Sequence, residues 1–229
     1  TKGSGQITLE GLKRLRECKK IFSFHDGDLK DFFCEQKISH FESLSGYYMD
    51  GAVDTDNYQR IFDKIVSSIP VYSDVSIIVQ GHPRLGVTFV QWFSQKKDDY
   101  KFKIEVIEGV SSFATMINDL ELDPLERGST LLDANRALLF DLDLNPHINY
   151  FIYHVCSIGT KKTNFIDPRD GNRLDLLKNY LLKFFPMDHE VILVESATLP
   201  EGSCSKIKLP IIDLEKLNEN ISFASTLYV

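Results

Sequence analysis

The 229-residue chain reads as an α/β protein made of two α/β domains. Three observations predict this. Short β-branched or aromatic runs alternate with amphipathic helices through the first half, the pattern of a parallel sheet covered by helices on both faces. After Gly109 strands become more frequent and helices fewer, which predicts a second domain with a mixed sheet. The length fits one large domain or two small ones. The boundary is placed near Glu108 to Val110, dividing the chain into residues 1–109 and 110–229.

The elements follow in order. Ile7, Leu12, Leu15 and Cys18 recur at helical spacing, with Thr8 placed to cap the amino end. Ile21 to Phe24 reads as a strand broken by the turn chemistry of His25-Asp26-Gly27-Asp28. A short helix with Leu29, Phe32 and Phe33 comes next, then a strand near Ile38 to Leu44. Asn57 to Ile69 is a strong amphipathic helix, its apolar face made of Tyr58, Ile61, Phe62, Ile65, Val66 and Ile69. Pro70 is expected to end it. Val75 to Val79 has the composition of a buried parallel strand and runs into the loop Gln80 to Gly86. A helix over 87–95 and a strand over Phe102 to Ile107 complete the first domain. The second domain is read as a helix over Ser111 to Asp119, extended segments at Thr130 to Ala134 and Asn149 to Cys156, and a helix over Leu174 to Phe185. Strands at Val191 to Glu195, Lys206 to Leu209 and Ser225 to Val229 close it.

Composition excludes several classes of function. With 26 Lys and Arg against 33 Asp and Glu, the net charge is −7, opposite to the balance that gripping nucleic-acid phosphates requires. No apolar run approaches the ~20 residues that span a bilayer. The four cysteines are scattered without zinc or redox spacing, the pattern of reduced thiols in a cytoplasmic protein. The six histidines lack zinc-ligand spacing, so no metal is expected. Asp141, Asp143 and Asn145 fail as a calcium loop, because Pro146 stands where glycine is required. No Gly-x-Ser-x-Gly elbow is present.

Ligands of open α/β sheets sit beyond the carboxyl ends of strands. That rule singles out the loop Gln80-Gly81-His82-Pro83-Arg84-Leu85-Gly86, although a plain strand-to-helix turn has the same composition. Gly109-Val110-Ser111-Ser112 is a second such junction, where a serine can cap the helix and its amides can meet an anion. Tyr47, Tyr48 and Tyr58 cluster near Asp50, Asp54 and Asp56. They suit aromatic packing, and equally a phenol held as a general base or orienting donor.

Taken together, these segments resemble the tetrapyrrole methylase superfamily of S-adenosylmethionine-dependent methyltransferases over essentially the whole chain. Gln80 to Leu85 matches its Gly-His-Pro loop and Glu108 to Ser112 its Pro-Gly-Val-Ser segment. Phe151 to Gly159 and the ending Ser225-Thr226-Leu227-Tyr228-Val229 match in order and spacing. Asp188-His189-Glu190-Val191 leading to Thr198-Leu199-Pro200, with the Thr-Leu-Tyr ending, most resembles the borosin peptide backbone N-methyltransferases, which act on ribosomally synthesized, post-translationally modified peptides.

The resemblance implies two α/β domains of class III methyltransferase type, with the cofactor in the interdomain cleft, and a homodimer. It implies S-adenosylmethionine as cofactor and S-adenosylhomocysteine as product. The implied cofactor contacts are Gln80, His82, Leu85, Ser111, Ser112, Val155, Cys156, Ala197 and Thr198. On the acceptor side it implies Tyr48 and Tyr58, with Asp54 at the position where the group carries arginine. Arg84, Glu108 and Cys156 also depart from the family, replacing glycine, proline and glycine. Gly5 to Glu10 resembles the start of the family's first helix, so the first strand and its glycine-rich loop are expected to be missing from the residues given. The implied activity is N-methylation of backbone amides in a separate precursor peptide. Alternatives are methylation of a small molecule, with Asp54 recognising a cationic or hydroxylated group, and a cofactor-binding homologue without turnover.

Overall fold

A computed structural model describes residues 3–24, 27–162, 164, 166–197 and 202–229, and of residues 27 and 28 the backbone only. The chain divides into two compact units. The first is formed by the described residues of Thr1–Met49, Asp54–Ala114 and Thr198–Gly202, and the second by those of Asp50–Val53, Thr115–Ala197 and Ser203–Val229.

The first unit starts with α1 (Leu9–Glu17), capped as its sequence predicts, the Gly11 amide donating to Thr8 Oγ1 at 3.1 Å. There follow β1 (Lys20–Ser23), α2 (Gly27–Glu35), β2 (Phe41–Ser43), a 3-10 turn at Ser45–Tyr47, α3 (Asp54–Tyr72), β3 (Val75–Ile78) and α4 (Thr88–Lys96). The three strands form a parallel sheet in the order β2-β1-β3. Helices cover both faces of β1, and its core is split accordingly. Phe22, Leu44, Ile61, Phe62, Ile65 and Phe93 pack on one side. Leu15, Cys18, Ile21, Leu29, Phe33 and Ile38 pack on the other. The alternation of Ile21 and Phe22 across the pleat sends neighbouring side chains into different clusters.

Two expectations need correction here. Pro70 does not end α3, which runs on to Tyr72. A proline φ suits a helix, and this close to the carboxyl end its missing N–H removes one bond while the Ser73 amide still reaches the Ile69 carbonyl at 2.7 Å. Ser73 then leaves the helix with a left-handed φ of 59°. The segment from Phe102 to Ile107 is not a strand. Its exposure alternates like one, with Phe102, Ile104 and Val106 turned against the core, yet among the described residues it joins no ladder.

α5 (Ser112–Asp119) leads into the second unit, which contains β4 (Ser129–Asp133), α6 (Ala134–Leu139), β5 (Asn149–Tyr153), α7 (Leu174–Leu181), β6 (Glu190–Glu195), β7 (Ser205–Pro210), a 3-10 helix at Ile211–Glu219, and β8 (Thr226–Tyr228). Its sheet is mixed, in the order β4-β5-β8-β6-β7, with only the β4–β5 pair parallel. A single core joins Ile152, Leu177, Leu181, Leu193, Leu214 and Leu227. The 3-10 helix escapes a reading for α-helical period because its buried residues, Ile211, Leu214 and Leu217, fall every third position. Three residues per turn stack those side chains on one face. α6 is also absent from the sequence reading, which extends the strand through Ala134. Asp133 stops the strand by taking the Arg136 amide at 2.8 Å as a helix cap.

Candidate functional site

The three strands are parallel, so the segments after β2 and β3 both emerge at the carboxyl end of the first sheet, one on either side of β1. After β3 the chain enters the loop from Gln80 to Gly86. Gly81 takes φ 77°, where an L side chain is strained. Leu85 donates its amide to the His82 carbonyl at 3.0 Å, closing a turn. The Arg84 amide donates to His82 Nδ1 at 3.2 Å. Nδ1 is thereby an acceptor, which puts the proton of a neutral imidazole on Nε2 and makes that outer nitrogen the donor.

The structure brings the second junction, Gly109 to Ser112, against this loop. A Cβ on Gly109 would lie 2.9 Å from the Gly81 carbonyl oxygen, and a Cβ on Gly81 would lie 3.9 Å from the Ser112 nitrogen. The glycine at 109 therefore serves backbone-on-backbone contact within the protein. Ser111 is the cap of α5, its Oγ accepting the Ala114 amide at 3.1 Å. Gln80, His82, Leu85, Ser111 and Ser112 thus lie on two adjoining loops.

After β2 the chain passes through the 3-10 turn to Tyr48. The Tyr48 hydroxyl donates to Asp54 Oδ1 at 2.6 Å, joining two of the sequence-nominated residues. Tyr58 stands next to them on α3, its ring 6.3 Å from that of Tyr48 and 6.1 Å from Trp92, both edge to face. Burial first, and then the negative charge of Asp54, push the Tyr58 hydroxyl up to about 12. Tyr58 is consequently a phenol at neutral pH, a donor rather than a base. Asn57, fully buried, fixes the chain beside Tyr48: the Met49 amide donates to Asn57 Oδ1 at 2.8 Å, and Asn57 Nδ2 donates to the Met49 carbonyl at 3.0 Å. Arg60 also donates to Asn57 Oδ1, and to the Tyr47 carbonyl at 3.4 Å. The guanidinium is therefore engaged in holding this turn. Sequence reasoning missed Asn57. Its one trace there is a polar residue four positions before Ile61, on the apolar face.

In the second unit, β5 and β6 are each antiparallel to β8, so they run the same way. Ile152 and Leu193 both stand opposite Leu227, and Val155-Cys156 and Ala197 leave the sheet from its same end. Val155 and Cys156 are buried. The turn that carries them is tied down by two asparagines. Asn135 accepts the Gly159 amide at 2.8 Å and donates to the Ser157 carbonyl at 3.0 Å. Asn172 accepts the Ile158 amide at 2.8 Å and donates to the Val155 carbonyl at 2.9 Å. His154 opens the turn with a left-handed φ of 59°, its Nδ1 2.5 Å from Asp133 Oδ2. Burial opposes ionisation of Asp133, but the His154 and Arg136 hydrogen bonds outweigh it and hold the carboxyl below its usual value. Thr198 lies outside the described residues. Among the described residues no three His, Cys, Asp or Glu side chains converge as a metal site, and no helix is long and apolar enough to cross a membrane.

No protein-family model matches the chain. It is 29% identical, over 98% of its length, to a protein of Gymnopilus junonius named a methyltransferase/ribosomally synthesized type I borosin cyclic peptide precursor. It is 26% identical to a type I relative from Mycena rosella over 98% of its length, and 26% identical to a type II relative from Phlebiopsis gigantea over 97%. It covers 54%, 56% and 40% of those three proteins, so the chain spans about half the length of the curated relatives it matches. Among solved structures, uroporphyrin-III C-methyltransferase from Thermus thermophilus aligns with a TM-score of 0.68 at 16% identity, over 99% of this chain and 89% of that one. Cobalt-precorrin-4 methyltransferase aligns at 0.66 and 13%, over the same shares. The chain has the tetrapyrrole methylase fold and is similar to the borosin methyltransferases over nearly its whole length.

Proposed function

We propose that this protein is an S-adenosylmethionine-dependent methyltransferase that N-methylates backbone amides of a borosin-type precursor peptide. The near-complete alignment with proteins whose names join a methyltransferase to a borosin peptide precursor carries the reading. Candidate cofactor contacts in the first unit are Gln80, His82, Leu85, Ser111 and Ser112; those in the second are Val155, Cys156, Ala197 and Thr198. The donor set of the first suits a ligand with polar and apolar parts: an imidazole N–H, a helix start and loop amides stand beside the leucine side chain. When bound, the cofactor supplies an electrophilic methyl group. The chain's own residues prepare the nucleophile and need form no covalent intermediate.

An amide nitrogen becomes nucleophilic when its proton leaves and charge collects on its oxygen. The Tyr48–Asp54 pair suits the first task. The amide proton passes to the Tyr48 oxygen as the Tyr48 proton passes along its 2.6 Å hydrogen bond to Asp54, leaving tyrosine neutral and aspartate protonated. Tyr58, kept protonated by burial and by Asp54, suits the second as a hydrogen-bond donor to the amide oxygen. On this reading Asp54 acts through Tyr48 and does not face the developing oxyanion. The bond to Tyr48 also occupies the carboxylate that a cationic small-molecule acceptor would need.

The test is incubation of the protein with S-adenosylmethionine and a synthetic peptide corresponding to a borosin precursor core, followed by tandem mass spectrometry. The proposal expects a gain of one methyl mass per modified residue, located on backbone nitrogen. Cofactor binding with an unmodified peptide would instead support a binding homologue without turnover.

A further inference from the structure

We infer that His154 is a positioning residue for the cofactor: its ring, hydrogen-bonded to Asp133, holds the left-handed turn that presents the main chain of Val155 and Cys156. The inference rests on the methyltransferase reading and adds to it a residue outside the candidate contacts. His154 directly follows β5, and Asp133 is the last residue of β4. Asp133 and Tyr153 are register partners in the parallel β4–β5 pair, so the two side chains meet at the carboxyl ends of adjoining strands, where ligands of α/β sheets bind. His154 takes φ 59°, a conformation that strains a residue bearing a Cβ and that glycine would take freely. The chain carries there a side chain whose Nδ1 stands 2.5 Å from Asp133 Oδ2. At that distance from a carboxylate Nδ1 bears the proton and donates it, and the bond offsets the strain.

The burial of the turn gives such a lock its purpose. Val155 is 1% exposed and Cys156 6%, and both side chains belong to the core of the second unit. Main chain is therefore what this turn can offer a ligand, and its direction is set by the backbone angles of the residue that opens the turn. Beyond His154 the turn is already braced, by Asn135 on Ser157 and Gly159 and by Asn172 on Val155 and Ile158. Asp133 and Asn135 belong to one short segment at the start of α6, so a single bracket grips the turn at both ends. Asp133 divides its oxygens between two tasks. Oδ1 accepts the Arg136 amide at 2.8 Å and caps α6, while Oδ2 holds His154. Loss of the imidazole leaves that cap in place, which separates positioning from folding.

Two variants test this, each read by calorimetric titration with S-adenosylhomocysteine and by hydrogen exchange of the unliganded protein over residues 154–159. His154→Ala keeps a Cβ at the left-handed φ and removes the bond. His154→Asn restores an N–H donor on the same branch as Nδ1, from a residue that tolerates that φ. The expected result is at least about fivefold weaker binding in His154→Ala, with faster exchange of the Ser157, Ile158 and Gly159 amides. Most of both losses should be recovered in His154→Asn, and the unfolding midpoint should stay close to the parent's in both variants. Parent-like affinity in His154→Ala, or a His154→Asn variant as weak as His154→Ala, overturns the inference. A parent chain that binds no S-adenosylhomocysteine overturns the methyltransferase reading, and the inference with it.

Discussion

The second unit spreads five strands over one continuous core, whereas the first divides its buried side chains between two clusters on either face of three strands. The difference follows from strand direction. In the second unit buried side chains of β5, β6 and β8 join those of α6, α7 and the 3-10 helix in one cluster. A parallel sheet must be covered on both faces and needs interior strands to do so. With β3 at an edge among the described residues, the first unit keeps a cavity of about 900 Å³ beside it, lined by apolar and charged side chains. The loops that carry the candidate chemistry therefore belong to a less closed scaffold in the first unit than in the second.

The largest effects should come from the two cores, and they should separate by probe. Phe62 is fully buried and stacks on Phe93 at 4.7 Å. Phe62→Ala is expected to cost about 3–5 kcal/mol. The chain's one tryptophan, Trp92, sits in the same unit, so urea unfolding followed by its fluorescence should shift by that amount. Leu177→Ala, in the core of the second unit, should cost about 2–5 kcal/mol. That loss should be seen more in circular dichroism than in Trp92 fluorescence. Equal displacement of both probes by both variants would remove the comparison.

Tyr48→Phe comes next. On the proposed mechanism it removes the proton acceptor while leaving the ring contact with Tyr58, so methyl transfer should fall about 10²–10⁴-fold. Binding of S-adenosylhomocysteine, followed by calorimetry, should stay unchanged. Gly109→Ala should destabilise by about 1–3 kcal/mol, because the new Cβ meets the Gly81 carbonyl oxygen at 2.9 Å, and it should weaken cofactor binding with it. Thermal denaturation with and without S-adenosylhomocysteine measures both.

The smallest effect concerns the turn after β5. The carboxyl of Asp133 is lower in the folded protein than in the unfolded chain, so the stability it contributes is present above its unfolded value of about 3.9. That contribution is lost as pH falls through the folded value. His154→Ala should therefore lower stability near neutral pH by no more than about 1 kcal/mol, since both side chains are partly exposed. Its difference from the parent should shrink below pH ~4. A difference that grows on acidification would contradict the pairing.

What was legible in the sequence was what local periodicity and turn chemistry encode. The Thr8 cap, the apolar face of α3 and the strand at Val75–Ile78 were of this kind, as was the Gln80 to Gly86 loop. The rest depended on partners distant in the chain. Phe102 to Ile107 carries strand-like alternation, yet a strand also needs a neighbour within hydrogen-bonding distance. Pro70 reads as a terminator by a local rule that the last turn of a helix can absorb. Ile211, Leu214 and Leu217 follow a period of three that a search for 3.6 passes over. At the candidate site, Tyr48, Asp54 and Tyr58 could be nominated singly. That Asp54 accepts from Tyr48, and that Asn57 pins Met49, are facts of tertiary geometry. They make Asp54, which stands where the group carries arginine, the hydrogen-bond partner of a phenol.

The most direct test of the central reading is calorimetric titration of S-adenosylhomocysteine into the parent chain and into its Gly109→Ala variant. The account predicts saturable binding by the parent chain, weakened in the variant, whose new Cβ would stand 2.9 Å from the Gly81 carbonyl oxygen of the loop that leaves β3. Absence of binding to both polypeptides would contradict the methyltransferase reading.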